Sequence, residues 1–249
     1  MFVSAVEVKV CLLGTPPRDL DVDQIERWRS DFILLSPKVE RLSLRCDTDL
    51  DGWAYSDRQI STQLPPAQAQ GITICVTRVP LEDNWYARRV SDRHVVFSLF
   101  EIGDFLRAEQ IPLSNAVLRV AYAYAISTER NSGVLPKHGS AAHYTHDETR
   151  GCLFDMNGLK ADIVESCVQP VICEECRERM RQSRFSNEKI DLIVQEIRGI
   201  DRSTYNKIRR TVERYPYRAL TISTLFVLIT GVLASFTASL LFELFRTQA

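Results

Sequence analysis

One histidine and three cysteines in the second half of the chain have the residue types and the spacing of a metal site. His146 and Cys152 precede the pair Cys173 and Cys176, which has two residues between its thiols. Such a pair can take adjacent corners of a tetrahedron, and a histidine and a cysteine from an earlier segment can complete it. The pattern therefore predicts a zinc ion held by four protein side chains. A complete ligand set leaves no position for a reacting water, so the predicted site is structural.

The other cysteines are either core residues or alternative ligands. Cys11, Cys46 and Cys75 each fall in a predicted strand, where a free cysteine packs as a small hydrophobic residue. Cys167 and His143 lie close in sequence to the four predicted ligands and are the alternatives to them. A redox role for the paired cysteines is not favoured, because the two glutamates between them should raise the pKa of both thiols.

A catalytic zinc site is a second interpretation of the same region. His138, His143 and His146 share one segment rich in small polar residues, and Asp147 and Glu148 follow directly. Three imidazoles and a carboxylate base would suffice to hydrolyse a peptide bond. Metalloproteases, however, place two histidines four residues apart on a helix with a glutamate between them, and that arrangement is missing. We therefore assign no catalytic residue and keep a membrane-tethered zinc hydrolase as an alternative.

A polar loop after the third predicted strand is a candidate ligand site. It contains Asp83, Asn84, Trp85, Arg88 and Arg89. Loops at strand ends often bind ligands, and arginine pairs readily with phosphate or carboxylate. This favours a second alternative function, a receptor for an anionic small molecule such as a nucleotide. The simpler expectation is a solvated loop with the tryptophan packed on the core.

The segments that must position these residues alternate between strand and helix patterns. Apolar, β-branched runs predict strands at residues 6–13, 39–46, 71–79 and 94–99, and helical spacing predicts helices at residues 21–35 and 112–128. This order predicts an α/β (α+β) domain with a mixed sheet over residues 1–185. Residues 186–218 are charged and helical, and we expect them to link that domain to the membrane. They either pack back on the domain or form a bundle with copies of themselves.

The overall composition is that of a globular protein. The chain has 249 residues, of which 45% are hydrophobic and 25% charged, with a formal net charge of -1. These values exclude wholesale disorder. A nucleic-acid-binding domain normally carries a basic excess, so we expect no nucleic-acid partner.

Residues 219–242 form an uncharged apolar run that is long enough to cross a bilayer as a helix. Residues 243–249 follow as a short tail, and five basic residues precede the run: Lys207, Arg209, Arg210, Arg214 and Arg218. The positive-inside rule then predicts a single-pass, tail-anchored protein with its N-terminal domain in the cytoplasm. Small residues recur every fourth position around Gly231 and favour self-association of the span into a homo-oligomer.

The order of features resembles the archaemetzincin type of zincin metallopeptidase over roughly residues 71–180. The matching pieces are the strand ITICVTRVPLEDNWYARR, the strand HVVFSL, an alanine-rich helix and the segment HDETRGCLFDMNGLKADIVESCVQPVICEECRERM. The resemblance places His146, Cys152, Cys173 and Cys176 at the family's second, cysteine-rich metal site. The family's HExxHxxGxxH motif is absent, and the corresponding helix reads RVAYAYAIST. The resemblance therefore implies a zincin-like fold that is kept for binding, with catalysis lost.

These observations together predict a membrane-anchored, zinc-stabilised, non-catalytic sensor or interaction protein. A protein partner is compatible with this interpretation. By analogy with cytoplasmic sensors tied to a membrane span, we expect a role as an effector of a bacterial antiviral defence or stress system.

Overall fold

The computed structural model describes residues 5–137, 144–146, 149–200, 208, 211–212 and 214–246, with the backbone alone over 239–246. The chain divides into two compact units, Met1–Arg202 and Ser203–Ala249. The first unit holds the sheet and the candidate site. The second contains the apolar C-terminal helix.

Within the described residues, six strands form one mixed sheet in the first unit. They are β1 (Val6–Leu13), β2 (Ile33–Leu35), β3 (Glu40–Leu42), β4 (Ile72–Thr77), β5 (Ala87–Arg89) and β6 (His94–Ser98). Their order is β2-β1-β4-β6-β5, and β3 also pairs with β1. All pairs are parallel except β5 with β6, which is antiparallel. The sheet confirms the predicted α/β class with mixed strand directions.

The centre of the sheet is the most apolar part of the sequence. Every residue of β4 is buried, as expected for a parallel strand covered on both faces. Ile72, Ile74 and Val76 pack into the larger apolar cluster on one face, whereas Cys75 packs into a smaller cluster on the other. The edge strand β3 is largely exposed.

The helices of the first unit are α1 (Val22–Glu26), α2 (Asp57–Ser61), α3 (Ile102–Ala108), α4 (Leu113–Arg130), α5 (Ile163–Val168), α6 (Glu174–Gln182) and α7 (Asn187–Ile197). The long helix α4 confirms the predicted alanine-rich helix. It lies against β1 and β4, and it also contacts α1, α3 and α5. Most of its side chains are buried, so it forms the centre of the core.

Two predicted elements are wrong in extent. The predicted helix over 21–35 is α1 followed by strand β2, since Ser30 Oγ accepts hydrogen bonds from the backbone N–H groups of Phe32 and Ile33 and turns the chain. The predicted strand over 39–46 is only β3, because its partner β1 ends at Leu13 and the following Gly14, whose φ is 79°, turns the backbone away. Cys46 therefore lies beyond the strand and is half-buried.

Helix α7, near the start of the segment 186–218, packs against the rest of the first unit. This agrees with the expectation that the segment packs back on the domain. Ile190, Ile193 and Ile197 are buried in the main cluster. Its Glu196 accepts hydrogen bonds from Ser30 Oγ at 2.5 Å and from the Tyr122 hydroxyl at 2.7 Å. Helix α7 is thus attached to the domain both by hydrogen bonds to Glu196 and by burial of its isoleucines.

The second unit contains helix α8 (Pro216–Arg246). Its stretch Pro216–Ala238 has 23 residues, and the most apolar 18-residue window in it has a mean hydropathy of 2.1 and is not buried. A helix of this length and composition is long and apolar enough to cross a membrane.

Candidate metal centre

The structure brings together the four side chains that the spacing singles out. One ligand atom each from His146, Cys152, Cys173 and Cys176 lies within 4.8 Å of all the others. His146 Nε2 is 3.3 Å from Cys152 Sγ and 3.4 Å from Cys173 Sγ. The sulfurs of Cys152 and Cys176 are 3.9 Å apart. The four atoms therefore surround a single point.

These separations match the edges of a zinc tetrahedron. Bonds of about 2.3 Å to sulfur and about 2.0–2.1 Å to nitrogen give edges of roughly 3.8 Å between sulfurs and roughly 3.6 Å between nitrogen and sulfur. The three measured distances lie within a few tenths of an ångström of those values. The donor set and its size therefore fit a tetrahedral metal ion with nitrogen and sulfur ligands.

Short backbone bridges place the first two ligands. The N–H of His146 donates to the carbonyl of Phe154 at 3.0 Å, and the N–H of Met156 donates to the carbonyl of His146 at 3.0 Å. Cys152 is held by a second bridge to Val171. The turn before Cys152 needs Gly151, since its φ is 83° and a Cβ there would lie 3.3 Å from the Glu165 side chain.

The start of helix α6 places the other two ligands. Cys173 is the N-cap residue, and Cys176 follows within the first turn. The carbonyl of Cys173 accepts a hydrogen bond from the Arg177 N–H at 3.0 Å. The unsatisfied N–H groups at a helix start favour negative charge, so this position suits two thiolates.

The three thiols of the candidate site differ in the direction in which their pKa values are shifted. The pKa of Cys152 falls to about 5, chiefly because of the hydrogen bond between its sulfur and that of Cys176. That same contact raises the pKa of Cys176, while burial raises the pKa of Cys173. The site thus carries one thiolate readily, and a bound divalent cation would supply the positive charge that two further thiolates require.

Of the two alternative ligands, Cys167 does not join this group. Cys167 is fully buried, and burial raises the pKa of its thiol to about 12. His138, His143, Asp147 and Glu148, on which a catalytic zinc site depends, lie outside the described residues. The imidazole Nδ1 of His146 is buried and has no hydrogen-bond partner among the residues that the structure describes.

A cavity of about 540 Å³ lies next to the centre, and residues 153–156, which follow Cys152, line it. Arg88 and Arg89 of the predicted ligand loop also line it, as does Trp85. The tryptophan is 40% exposed, so the expectation that it packs on the core is wrong.

Arg119 on α4 is a cavity residue that the sequence analysis missed. The available signal was a single charged residue inside an otherwise apolar, alanine-rich helical stretch. A charge in such a position is rarely buried without a function or a partner.

No family model and no curated protein matches this chain. Among solved structures, archaemetzincin from Archaeoglobus fulgidus in complex with malonate is similar, with 14% sequence identity and a TM-score of 0.37. The match covers 70% of this chain and 99% of that one. A likeness at this identity and TM-score transfers neither a residue role nor an activity.

Proposed function

We propose that this chain is a membrane-anchored interaction or sensor protein whose globular unit is stabilised by one structural zinc ion. The convergence of His146, Cys152, Cys173 and Cys176 carries the proposal. Zinc suits a set of one imidazole and three thiolates, and four protein ligands fill its tetrahedral shell. Such an ion binds no water and therefore supplies stability, not hydrolysis.

The same four residues explain why a metal would matter for folding here. They join two bridged loops to the start of helix α6, and these segments have few regular backbone contacts of their own. The two bridges at His146 and Cys152 are isolated pairs and do not extend into strands. A metal that fixes four side chains at once would stabilise this region by an amount that contributes directly to folding.

The membrane part of the proposal rests on helix α8. Its length and hydropathy support a single span. The basic residues before it support a cytoplasmic position for the globular unit. Small residues recur at every fourth position, at Gly231, Ser235 and Ser239 and again at Thr230, Ala234 and Ala238, and favour close packing of the spans in a homo-oligomer. A place in bacterial defence or stress systems rests on analogy and stays a prediction.

Metal analysis of the purified full-length chain tests the zinc proposal. We expect one zinc per chain, lost in Cys176→Ala and retained in Cys75→Ala, which removes another fully buried thiol. Zinc retained in the first variant, or absent from the wild type, would contradict the proposal.

Peptidase assays separate the structural site from the hydrolase alternative. Zinc-loaded protein should cleave no peptide faster than a His143→Ala variant does. A second zinc per chain that disappears with this substitution, together with cleavage, would establish a hydrolase instead.

A further inference from the structure

The cavity beside the candidate metal centre contains a buried cation that forms no ion pair with any acidic side chain in the described ranges of the chain. Arg119 is 2% exposed. Its Nε donates to Ser166 Oγ at 3.0 Å and its Nη2 to the carbonyl of Leu153 at 3.1 Å. Its guanidinium carbon lies 5.9 Å from the centre of the Tyr86 ring. All these partners are neutral, and a buried charge without a counter-charge is costly.

A second arginine faces the same cavity without an acidic partner. Arg89 donates from Nη1 to the carbonyl of Pro136 at 2.9 Å, and no carboxylate in the described part of the chain forms an ion pair with it or with Arg119. Arg88 differs, because it is paired with the carboxylate of Asp57 through two hydrogen bonds of 2.7 and 2.5 Å.

The acidic residues of the wall are not paired with these two arginines. Asp83 lies 3.8 Å from Arg88, and its side chain is 70% exposed to solvent. Asp155 accepts a hydrogen bond at 3.1 Å from the N–H of Asn157. With Asp57 counted as the partner of Arg88, the formal charges sum to zero, but neither Asp83 nor Asp155 forms an ion pair with Arg119 or Arg89.

Aromatic rings form much of the remaining wall. Trp85, Tyr86, Tyr124 and Tyr144 all line the cavity. Its volume of about 540 Å³ is within the range of sites that bury a small organic molecule. Flat rings offer stacking surfaces, whereas the guanidinium groups offer paired N–H donors for carboxylate or phosphate oxygens.

We propose that this cavity is a binding site for a small aromatic anion, whose carboxylate or phosphate is held by Arg119 and Arg89. The ring of the ligand lies against the tyrosines and the tryptophan. The anion would form with both guanidinium groups the direct ion pairs that the described carboxylates do not form. This inference goes beyond the structural zinc, since it assigns the domain a ligand and not only a source of stability.

Calorimetric titration of the full-length chain in detergent micelles tests the proposal with three probes. Phenyl phosphate and benzoate present the two anionic groups on the same ring, and phenol is the neutral match. We expect at least one anion to bind at least about tenfold more tightly than phenol, since a hydrogen bond to a charged group contributes about 1.5–3 kcal/mol. The stronger anion identifies which oxygen group the site prefers.

Substitutions locate the binding site. Arg89→Met should weaken binding of the preferred anion about tenfold and leave phenol unchanged. Arg119→Met should weaken it at least as much, and the first variant decides the question if the second does not fold. Arg93→Met is the matched control, because Arg93 also donates to backbone carbonyls but does not line the cavity. It should retain affinity within about twofold.

Three outcomes would overturn the proposal. One is that neither anion binds at concentrations up to about 10 mM. Another is that phenol binds as tightly as both anions, and a third is that Arg89→Met and Arg93→Met have the same effect. Zinc content measured on the same samples separates these outcomes from failure of the metal centre.

Discussion

Two groups of buried cysteines lie in the same compact unit, and they differ in what surrounds them. Cys11 and Cys75 are register partners on the parallel strands β1 and β4, and their sulfurs are 2.6 Å apart. Their neighbours are apolar, including Leu13 and Val96. Within the described part of the chain, no further ligand atom joins this pair to make a metal-binding group.

The second group differs in where its members come from. Cys152 lies in an irregular segment, Cys173 and Cys176 lie at the start of helix α6, and His146 joins them. The charge distribution differs as well: the pKa of Cys152 is lowered, whereas the hydrogen bond with Cys11 raises the pKa of Cys75.

The comparison shows when neighbouring thiols indicate a metal. Regular strand pairing brings two cysteines together whenever both occupy facing positions, and they then pack as apolar groups. Four ligand atoms from separate irregular segments do not converge through backbone pairing alone. We therefore assign the metal to the second group and only packing to the first.

The largest expected difference between the groups is in stability. Cys176→Ala should lose zinc and lower the free energy of unfolding by at least about 4 kcal/mol, because it removes a ligand and with it the metal. Cys75→Ala deletes an equally buried sulfur and should cost only about 1–2 kcal/mol. Urea denaturation of both variants measures this. Equal losses would remove the distinction between the two groups.

The next difference is in proton release. Cys152 is already a thiolate above about pH 5, while Cys173 and Cys176 hold their protons at neutral pH. Zinc binding between pH 7 and 8 should therefore release about two protons, and the zinc affinity should fall about a hundredfold for each unit that the pH falls. The stability that zinc contributes is present at higher pH and is lost as the pH falls.

Calorimetry in buffers of different ionisation enthalpy counts these protons. The Cys11→Ala variant should give the same count, since the sheet pair takes no part. Release of about three protons would show that Cys152 is not a thiolate before zinc binds.

The smallest effect is expected at Cys167, which is buried like Cys152 and Cys176 but lies outside the candidate ligand group. Cys167→Ala should keep one zinc per chain and cost about 1–2 kcal/mol of stability through lost packing. Metal analysis with thermal unfolding checks both values. Loss of zinc in this variant would mean that the ligand set is assigned wrongly.

The sequence predicts the parts of the fold in which local pattern and burial agree. Four elements are strongly apolar because they occupy the core: strands β1, β4 and β6 and helix α4. The sequence pattern predicts all four. The predicted helix over 21–35 is wrong because the apolar residues that suggested one continuous helix belong partly to helix α1 and partly to strand β2. Only the turn at Ser30 separates the two elements.

The sequence also predicts one part of the candidate site and not the other. The spacing of the metal ligands is recognisable in the sequence, because Cys173 and Cys176 lie in one helix turn. The cavity could not be predicted, since it forms where β5 and α4 meet residues 153–156. The position of Arg119 in its wall depends on that packing, which no spacing in the sequence reveals.

X-ray absorption at the zinc edge of the full-length protein tests the central claim most directly. We predict one zinc per chain, with three sulfur ligands at about 2.3 Å and one nitrogen at about 2.0–2.1 Å. A first shell that contains a water oxygen, fewer than three sulfurs, or no zinc at all would contradict the account.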